Sequence, residues 1–536
     1  MAVIPTTRTV LRALPALFAL LAAQAALADN ISLRIGYGDA RGVAVFTPVH
    51  AEIGSFAVTP NVRTDALSEQ WRVVAKDAQG KILHEVAVNN GQRRHVEVFN
   101  KRTGAAEISE VVRQPDGMFE VSLPFNKETV SVEVLSKPAA GAKTLAAAAP
   151  LAAFDRATLE KVAGASKTAK AGAALAASAT ATTILNTGPA ATRMDYVFIG
   201  DGYTATEMAK WRADAQKVID GFLADPLFAA NRGAMNVRRV DVASNQSGVD
   251  EPDKGIYRDT AMDGAFNCYN MDRLLCVNSA KVYSVAGSVL APDERDVIIV
   301  ISNSTRYGGS GGEIATLSMA EQSIEIALHE IGHTAFALAD EYDYGTCAAG
   351  EPGEVNVSAN GTRSVKWGNL ISSGTAVPTG LGVYANGTVG VFQGGQYCAT
   401  GKYRPTENSR MRTLGYPWHA VNEGAARGVF AKYGGGATQS GSLSAGGSAY
   451  APSAAPGYVQ AGAGTVSLQL TGPAGTDFDL FLYKYSGSAW VKVASSEGSS
   501  SSETIAYNGT AGYYYAEVKS YAGSGAYTLK YSFPKP

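Results

Sequence analysis

The sequence predicts a multidomain chain in which an N-terminal β-sandwich and a C-terminal β-sandwich flank a central domain mixing strands and helices. Three observations carry this. Short runs of alternating apolar and polar residues cluster near both ends, helical periodicity is concentrated in the middle, and the composition changes abruptly between these parts. At 536 residues the chain is too long for one domain and suggests about three.

Residues 29–138 form the N-terminal unit. Runs at 32–37, 70–76, 82–88, 95–100, 118–123 and 129–135 alternate, with Gly, Asn and Pro between them, as sandwich strands do. His84 and His95 fall in these runs without partners at ligand spacing and read as packing or surface residues. Residues 139–182 turn to Ala with scattered Lys, Thr and Ser, which offers little apolar area to bury. This reads as a linker, or as a pro-segment removed after export, with one helix around 155–169. The central domain, 183–436, opens with a strand at 194–199 and a Gly200-Asp201-Gly202 turn. Thr204 and Glu207 then make a capping box for a helix running to about 224. The continuous apolar run 296–302 reads as a buried strand. After it, Tyr307-Gly308-Gly309-Ser310-Gly311-Gly312 lacks the Lys-Ser or Lys-Thr of a phosphate cradle, since Glu313 follows. The loop therefore either lets a substrate backbone approach or is only a connection. Residues 437–452 are a Gly/Ser/Ala linker. The last unit, 453–536, has strand runs at 465–470, 478–485, 490–494, 504–507, 513–519 and 527–533.

The chemistry concentrates in Leu328-His329-Glu330-Ile331-Gly332-His333, an H-E-x-x-H pattern. At about 100° per residue, two imidazoles four residues apart project roughly 40° from one another, one turn along, and converge on one metal ion. Ser318 and Glu321 offer a capping box for the helix, and Ile324, Leu328, Ile331 and Ala335 form an apolar stripe away from the histidines. A catalytic zinc takes three protein ligands and keeps one position open. On an unbroken helix Asp340 lies about two turns, or roughly 10 Å, too far along the axis, so the chain has to turn soon after His333. Ala339, six residues beyond the second histidine, has nothing to donate. Asp340 is the favoured third ligand, Glu341 its rival and His419 a distant third.

These residues resemble the IgA peptidase family of zinc metalloendopeptidases, whose members carry H-E-[FI]-G-H followed by L-A-D-E-Y, here His329 to His333 and Leu338 to Tyr342. Phe198-Ile199-Gly200-Asp201-Gly202-Tyr203, Ser247-Gly248-Val249-Asp250, the 307–312 loop and Ser409-Arg410-Met411-Arg412 match in order, over roughly residues 185–435. The resemblance implies a metzincin-like zinc peptidase domain, α/β (α+β), with one catalytic Zn2+, Glu330 as general base and Met411 in a Met-turn beneath the ligands. It does not imply that IgA is the substrate. Tyr342 and Tyr416 are candidates for donating to the oxyanion. Family members commonly have Phe-Cys-x-x-Cys where this chain has Trp418-His419-Ala420-Val421-Asn422, and that departure argues against a metal role for His419. A structural Ca2+ is compatible with this reading but is not indicated. The last 80 or so residues resemble the bacterial pre-peptidase C-terminal domain through Asp477-Phe478-Asp479-Leu480-Phe481-Leu482-Tyr483 and Gly512-Tyr513-Tyr514-Tyr515.

A net charge of −2 leaves no basic field for a nucleic acid. Residues 1–28 carry Arg8 and Arg12, the apolar run 14–21 and Ala26-Leu27-Ala28, the layout of a cleavable signal peptide. The expected location is outside the bacterial cytoplasm, extracellular or periplasmic, with no stable membrane insertion. Cys268, Cys276, Cys347 and Cys398 then favour two disulfides, 268 with 276 and 347 with 398, each closing a local loop. The expected partner is a protein or peptide substrate, and oligomeric state is not legible. The alternatives are a secreted aminopeptidase, or an adhesion or matrix-binding protein with an inactive peptidase-like domain.

Overall fold

The computed structural model describes residues 30–40, 43–58, 70–136, 150–170, 179–344, 347–433, 437–453, 457–462 and 464–533. The expected signal peptide lies outside the described residues, as do residues 137–149 and 171–178 of the Ala-rich stretch. The architecture is multidomain and mixed, with many β-sheets and fewer helices.

The N-terminal strands are β1 (Asn30–Ala40), β2 (Val43–Gly54), β3 (Gln70–Lys76), β4 (Ile82–Asn89), β5 (Arg93–Phe99), β6 (Ala106–Arg113), β7 (Gly117–Pro124), β8 (Ser131–Ser136) and β9 (Pro150–Asp155). They make one sheet in the order β2-β1-β7 and another in the order β4-β3-β8-β9, sharing a core of Ile31, Leu33, Ile35, Trp71, Phe119 and Val132 among others. Alternation decides which face is inside: Ile31, Leu33 and Ile35 enter the core while Ser32 and Arg34 point the other way. Among the described residues, strands β5 and β6 belong to neither sheet and pair with each other. The helix expected around 155–169 is present; the difference from a linker is that this part of 139–182 is packed into the N-terminal domain. There β9 pairs with β8, and helix α1 (Arg156–Lys170) buries Leu159 and Ala163 in the same core, with the Ser166 hydroxyl accepting from the Ala51 N–H at 3.1 Å. Although Ala-rich, the segment completes a sheet edge and closes one end of the core.

Arg34 is buried because the central domain covers its face of the sheet. Its Nε donates to Glu120 at 2.6 Å, while Arg295 donates to Glu120 at 2.9 Å and to Glu52 at 3.0 Å. Burial by itself would raise the Glu120 carboxyl. Arg295 and then Arg34 override it and lower the group from an ordinary value near 4.5 to about 2. Because the folded value is the lower one, the stabilisation is complete above pH 4.5 and is lost as pH falls towards 2. The shift corresponds to about 3 kcal/mol. Glu120→Gln is therefore expected to lower Tm at neutral pH and to flatten the acid limb of Tm against pH. An acid limb as steep as that of the wild type speaks against this role.

The central domain contains β10 (Thr180–Leu185), β11 (Met194–Asp201), α2 (Met208–Ala224), α3 (Pro226–Ala230), β12 (Met235–Asp241), α4 (Ser279–Val289), β13 (Val297–Ser302), β14 (Gly309–Ser310), β15 (Ile314–Ser318), α5 (Ser323–Phe336), β16 (Phe392–Gly395), β17 (Cys398–Arg404) and α6 (His419–Lys432). Its sheet runs β10-β12-β11-β13-β15-β14, parallel from β12 to β15 with an antiparallel strand at each edge. β13 is buried along its whole length, as its unbroken apolar run predicts. Helices α2, α5 and α6 share a core on one face, and α4 packs on the other. The Thr204 and Glu207 capping box is present: the Glu207 carboxylate accepts from the Thr204 N–H at 2.9 Å.

Two of the spaced sequence motifs meet at the turn after β11. Gly202 has φ +75°, and a Cβ there would lie 2.1 Å from the Gly248 carbonyl oxygen. Asp201 is buried and accepts from the N–H groups of Met262 (2.8 Å) and Gly264 (2.9 Å). These residues tie the long 242–278 excursion to the sheet, so they are scaffold. Both expected disulfides are formed, Cys268 with Cys276 and Cys347 with Cys398.

The C-terminal strands are β18 (Ala437–Leu443), β19 (Ser448–Ala451), β20 (Val459–Ala461), β21 (Gly464–Thr471), β22 (Asp477–Tyr485), β23 (Trp490–Ser496), β24 (Ser502–Gly509), β25 (Gly512–Ala522) and β26 (Gly525–Ser532). Two sheets, β18-β26-β21-β24 and β19-β25-β22-β23 with β20 beside β25, share one core. Residues 437–452, expected as a linker, contribute β18 and β19: small residues suffice where the backbone is paired along β26 and β25. Among the described residues no helix is long and apolar enough to cross a membrane.

Candidate metal centre

Helix α5 starts where β15 ends. The expected capping box at Ser318 and Glu321 is not made, because Ser318 is the last residue of β15, paired with Ser302, and its hydroxyl meets that of Ser323 at 2.9 Å. The helix begins at Ser323. Its stripe is as expected: Leu328, Ile331 and Ala335 enter the core and Ile324 packs against it. It ends at Phe336 because Ala337 takes the left-handed conformation (φ +52°), with the Leu338 N–H donating back to the Gly332 carbonyl at 3.1 Å. The turn needed to return the chain is therefore at Ala337. Asn356 clamps the next stretch, its Oδ1 accepting from the Ala339 N–H (2.9 Å) and its Nδ2 donating to the Ala339 carbonyl (2.8 Å).

This path places Asp340 beside both histidines. Its Oδ1 is 3.2 Å from His329 Nε2 and 3.3 Å from His333 Nε2, and the two Nε2 atoms are 3.0 Å apart. A fourth group joins them: Glu97 of β5, whose Oε2 is 3.0 Å from His329 Nε2. The four donor atoms lie within 4.8 Å of one another. All four groups are held from behind. His329 Nδ1 donates to the Arg410 carbonyl (2.9 Å) and His333 Nδ1 to the Leu338 carbonyl (2.7 Å), while the hydroxyls of Tyr397 (2.5 Å) and Tyr342 donate to Asp340 and Glu97. A carbonyl only accepts, so each Nδ1 carries a proton and each Nε2 faces the same point, where it would offer a lone pair to a bound cation.

Four-coordinate zinc with ligand distances of about 2.0 Å requires donor atoms about 3.3 Å apart; the separations among His329, His333 and Asp340 (3.0 to 3.3 Å) and between Glu97 and His329 (3.0 Å) fit that requirement, within a group spanning up to 4.8 Å. With no cation between them, the same contacts are charge pairs. Burial would lower His333, but Asp340 overrides it and raises the imidazole to about 9; burial would raise Asp340, but His333 and His329 hold it well below the usual carboxylate range. Glu330 lies beside the group, and burial, reinforced by the charge of Glu97, raises it to about 7 against the pull of the two histidines.

Glu341 is not brought to the group. Its carboxylate accepts from Ser409 (2.7 Å), Asn422 (2.9 Å) and Asn356 (3.0 Å), and its own N–H donates to the Met411 carbonyl at 2.7 Å. It ties the segment after α5 to the one carrying Met411. Met411 is fully buried under α5, where a Cβ on Gly332 would lie 2.6 Å from its Sδ. His419 starts α6 with its Nε2 3.4 Å from Asn386 Nδ2, and Tyr416 is partly exposed; neither reaches the group. In the glycine-rich loop, a Cβ on Gly311 would lie 1.8 Å from the Glu330 carboxylate, so one observed demand for glycine there comes from the acid itself.

The residues missed from the sequence are Glu97, Tyr397 and Asn356. Glu97 had one weak signal, an acid inside the apolar run Val96 to Phe99, all of it buried.

Residues 182–384 match the family model described as IgA Peptidase M64. The match begins within β10, runs through α5 and Asp340, and ends before Met411. Among solved structures, the crystal structure of the pre-peptidase C-terminal domain of collagenase from Bacillus anthracis is 20% identical, with a TM-score of 0.16, covering 18% of this chain and 89% of that one. The Yersinia pseudotuberculosis-derived mitogen is 16% identical, with a TM-score of 0.15, covering 19% and 87%.

Proposed function

We propose, from the premise that residues 182–384 form a peptidase domain of the IgA Peptidase M64 family, that this chain is an exported zinc-dependent endopeptidase. The observation that supports it most is the convergence of His329, His333 and Asp340 at the spacing of a tetrahedral ion, with Glu330 beside them. A zinc ion held by these three residues would supply Lewis acidity to the scissile carbonyl and to the attacking water. Glu330, next to His329 on the same helix, takes the proton from that water and passes it to the leaving amine. The Arg410 and Leu338 carbonyls keep both imidazoles in the metal-binding tautomer, and Tyr397 fixes the rotation of Asp340. The two disulfides agree with an exported chain.

Elemental analysis of the purified chain is expected to find about one zinc per molecule. A chelator should abolish cleavage of peptides blocked at both ends, and added zinc should restore it. A chain without transition metal, on which added zinc has no effect, contradicts the reading. Cleavage confined to free amino termini makes the chain an aminopeptidase instead.

A further inference from the structure

We infer that Glu97 is a fourth protein ligand of the zinc, delivered by the N-terminal domain, and that the chain stays latent until the β5–β6 hairpin withdraws it. The inference rests on the zinc reading above and adds a regulator to that site.

The carrying observation is the number and origin of the donors. Four protein ligands make a closed site, whereas a hydrolytic centre leaves one position for water. His329, His333 and Asp340 come from one helix and the turn after it; Glu97 lies 232 residues before His329, on another domain. It is the donor that can leave without dismantling the other three. Its carboxylate and that of Asp340 balance a divalent ion, which explains how two acids come to be buried side by side, with 3% and 2% of their side chains exposed.

The hairpin is built for this position. It belongs to neither N-terminal sheet, so lifting it breaks no ladder of the sandwich. Instead it is fastened to the central domain: Arg273 donates to the Phe99 carbonyl at 2.6 Å, Arg94 to the Gly311 carbonyl at 2.7 Å, and the Leu414 N–H to the Gly104 carbonyl at 2.9 Å. Val96 and Val98 pack on Met271 and Leu274. With the hairpin down, Glu330 is 6% exposed and His329 is fully buried, and the site meets solvent through His333, whose side chain stays 25% exposed, so the hairpin narrows the approach to the group.

The test compares wild-type full chain with Glu97→Gln and Arg273→Ala, each loaded with zinc. Expected results for Glu97→Gln are zinc affinity at least about tenfold weaker in competition with a chelating dye, and casein cleavage at least about tenfold faster. Zinc should slow amide hydrogen exchange of residues 93–99 in the wild type and not in this variant. Arg273→Ala, which loosens the hairpin from outside the site, should also speed cleavage, and it decides the matter if Glu97→Gln does not fold. Wild-type zinc affinity and wild-type cleavage in both variants overturn the inference, as does weaker zinc binding with no gain in cleavage in either. A wild-type chain that binds no zinc instead sinks the zinc reading itself, so the two failures are separable.

Discussion

Glu330→Gln is expected to keep its zinc and lose peptide cleavage by about a thousandfold or more. The amide is nearly isosteric, and Glu330 is not among the four grouped donors, so metal content and Tm should stay close to wild type. What disappears is the group that moves the proton. The measurement is the cleavage rate of a blocked peptide beside the zinc content of the same sample. A variant that cleaves at the wild-type rate with full zinc gives Glu330 another role. If the hairpin restrains turnover, the comparison is sharpest in the Glu97→Gln background.

The second large effect separates two adjacent acids. Asp340→Ala removes a donor 3.2 and 3.3 Å from the two imidazole nitrogens, and dialysed protein is expected to retain little zinc and no cleavage. Glu341→Ala should retain zinc and lose stability instead. It leaves Ser409, Asn356 and Asn422 without their shared buried acceptor, and each unmet group costs about 1 to 3 kcal/mol. The pair is read by zinc content and Tm together. Full zinc occupancy in Asp340→Ala ends the assignment of Asp340.

Much of the molecule was legible from local pattern. β11, β13 and α2 lie close to where strand runs and capping residues place them, and the disulfides close the loops their spacing favours. The misreadings share a cause. Ser318 looked like a cap and is a strand end, and the small-residue stretches at 150–155 and 437–451 looked like linkers and are paired strands. In each case backbone pairing with a distant strand outweighed what the side chains announce.

The sequence by itself determined the convergence of His329 and His333, since a helix brings residues four apart onto one face whatever surrounds it. It also limited the third donor to a short stretch after a turn. Sequence reading favoured Asp340 over Glu341; what puts the Asp340 carboxylate and not that of Glu341 beside the imidazoles is the left-handed Ala337, the Asn356 clamp and the Met411 segment, because adjacent residues of an irregular segment face different ways and only packing says which one meets the histidines. Glu97 left one weak local trace, an acid in an apolar run, and nothing in it aims the carboxylate at the histidines. A strand records its neighbours in its alternation, but not which distant surface its exposed edge will be laid upon.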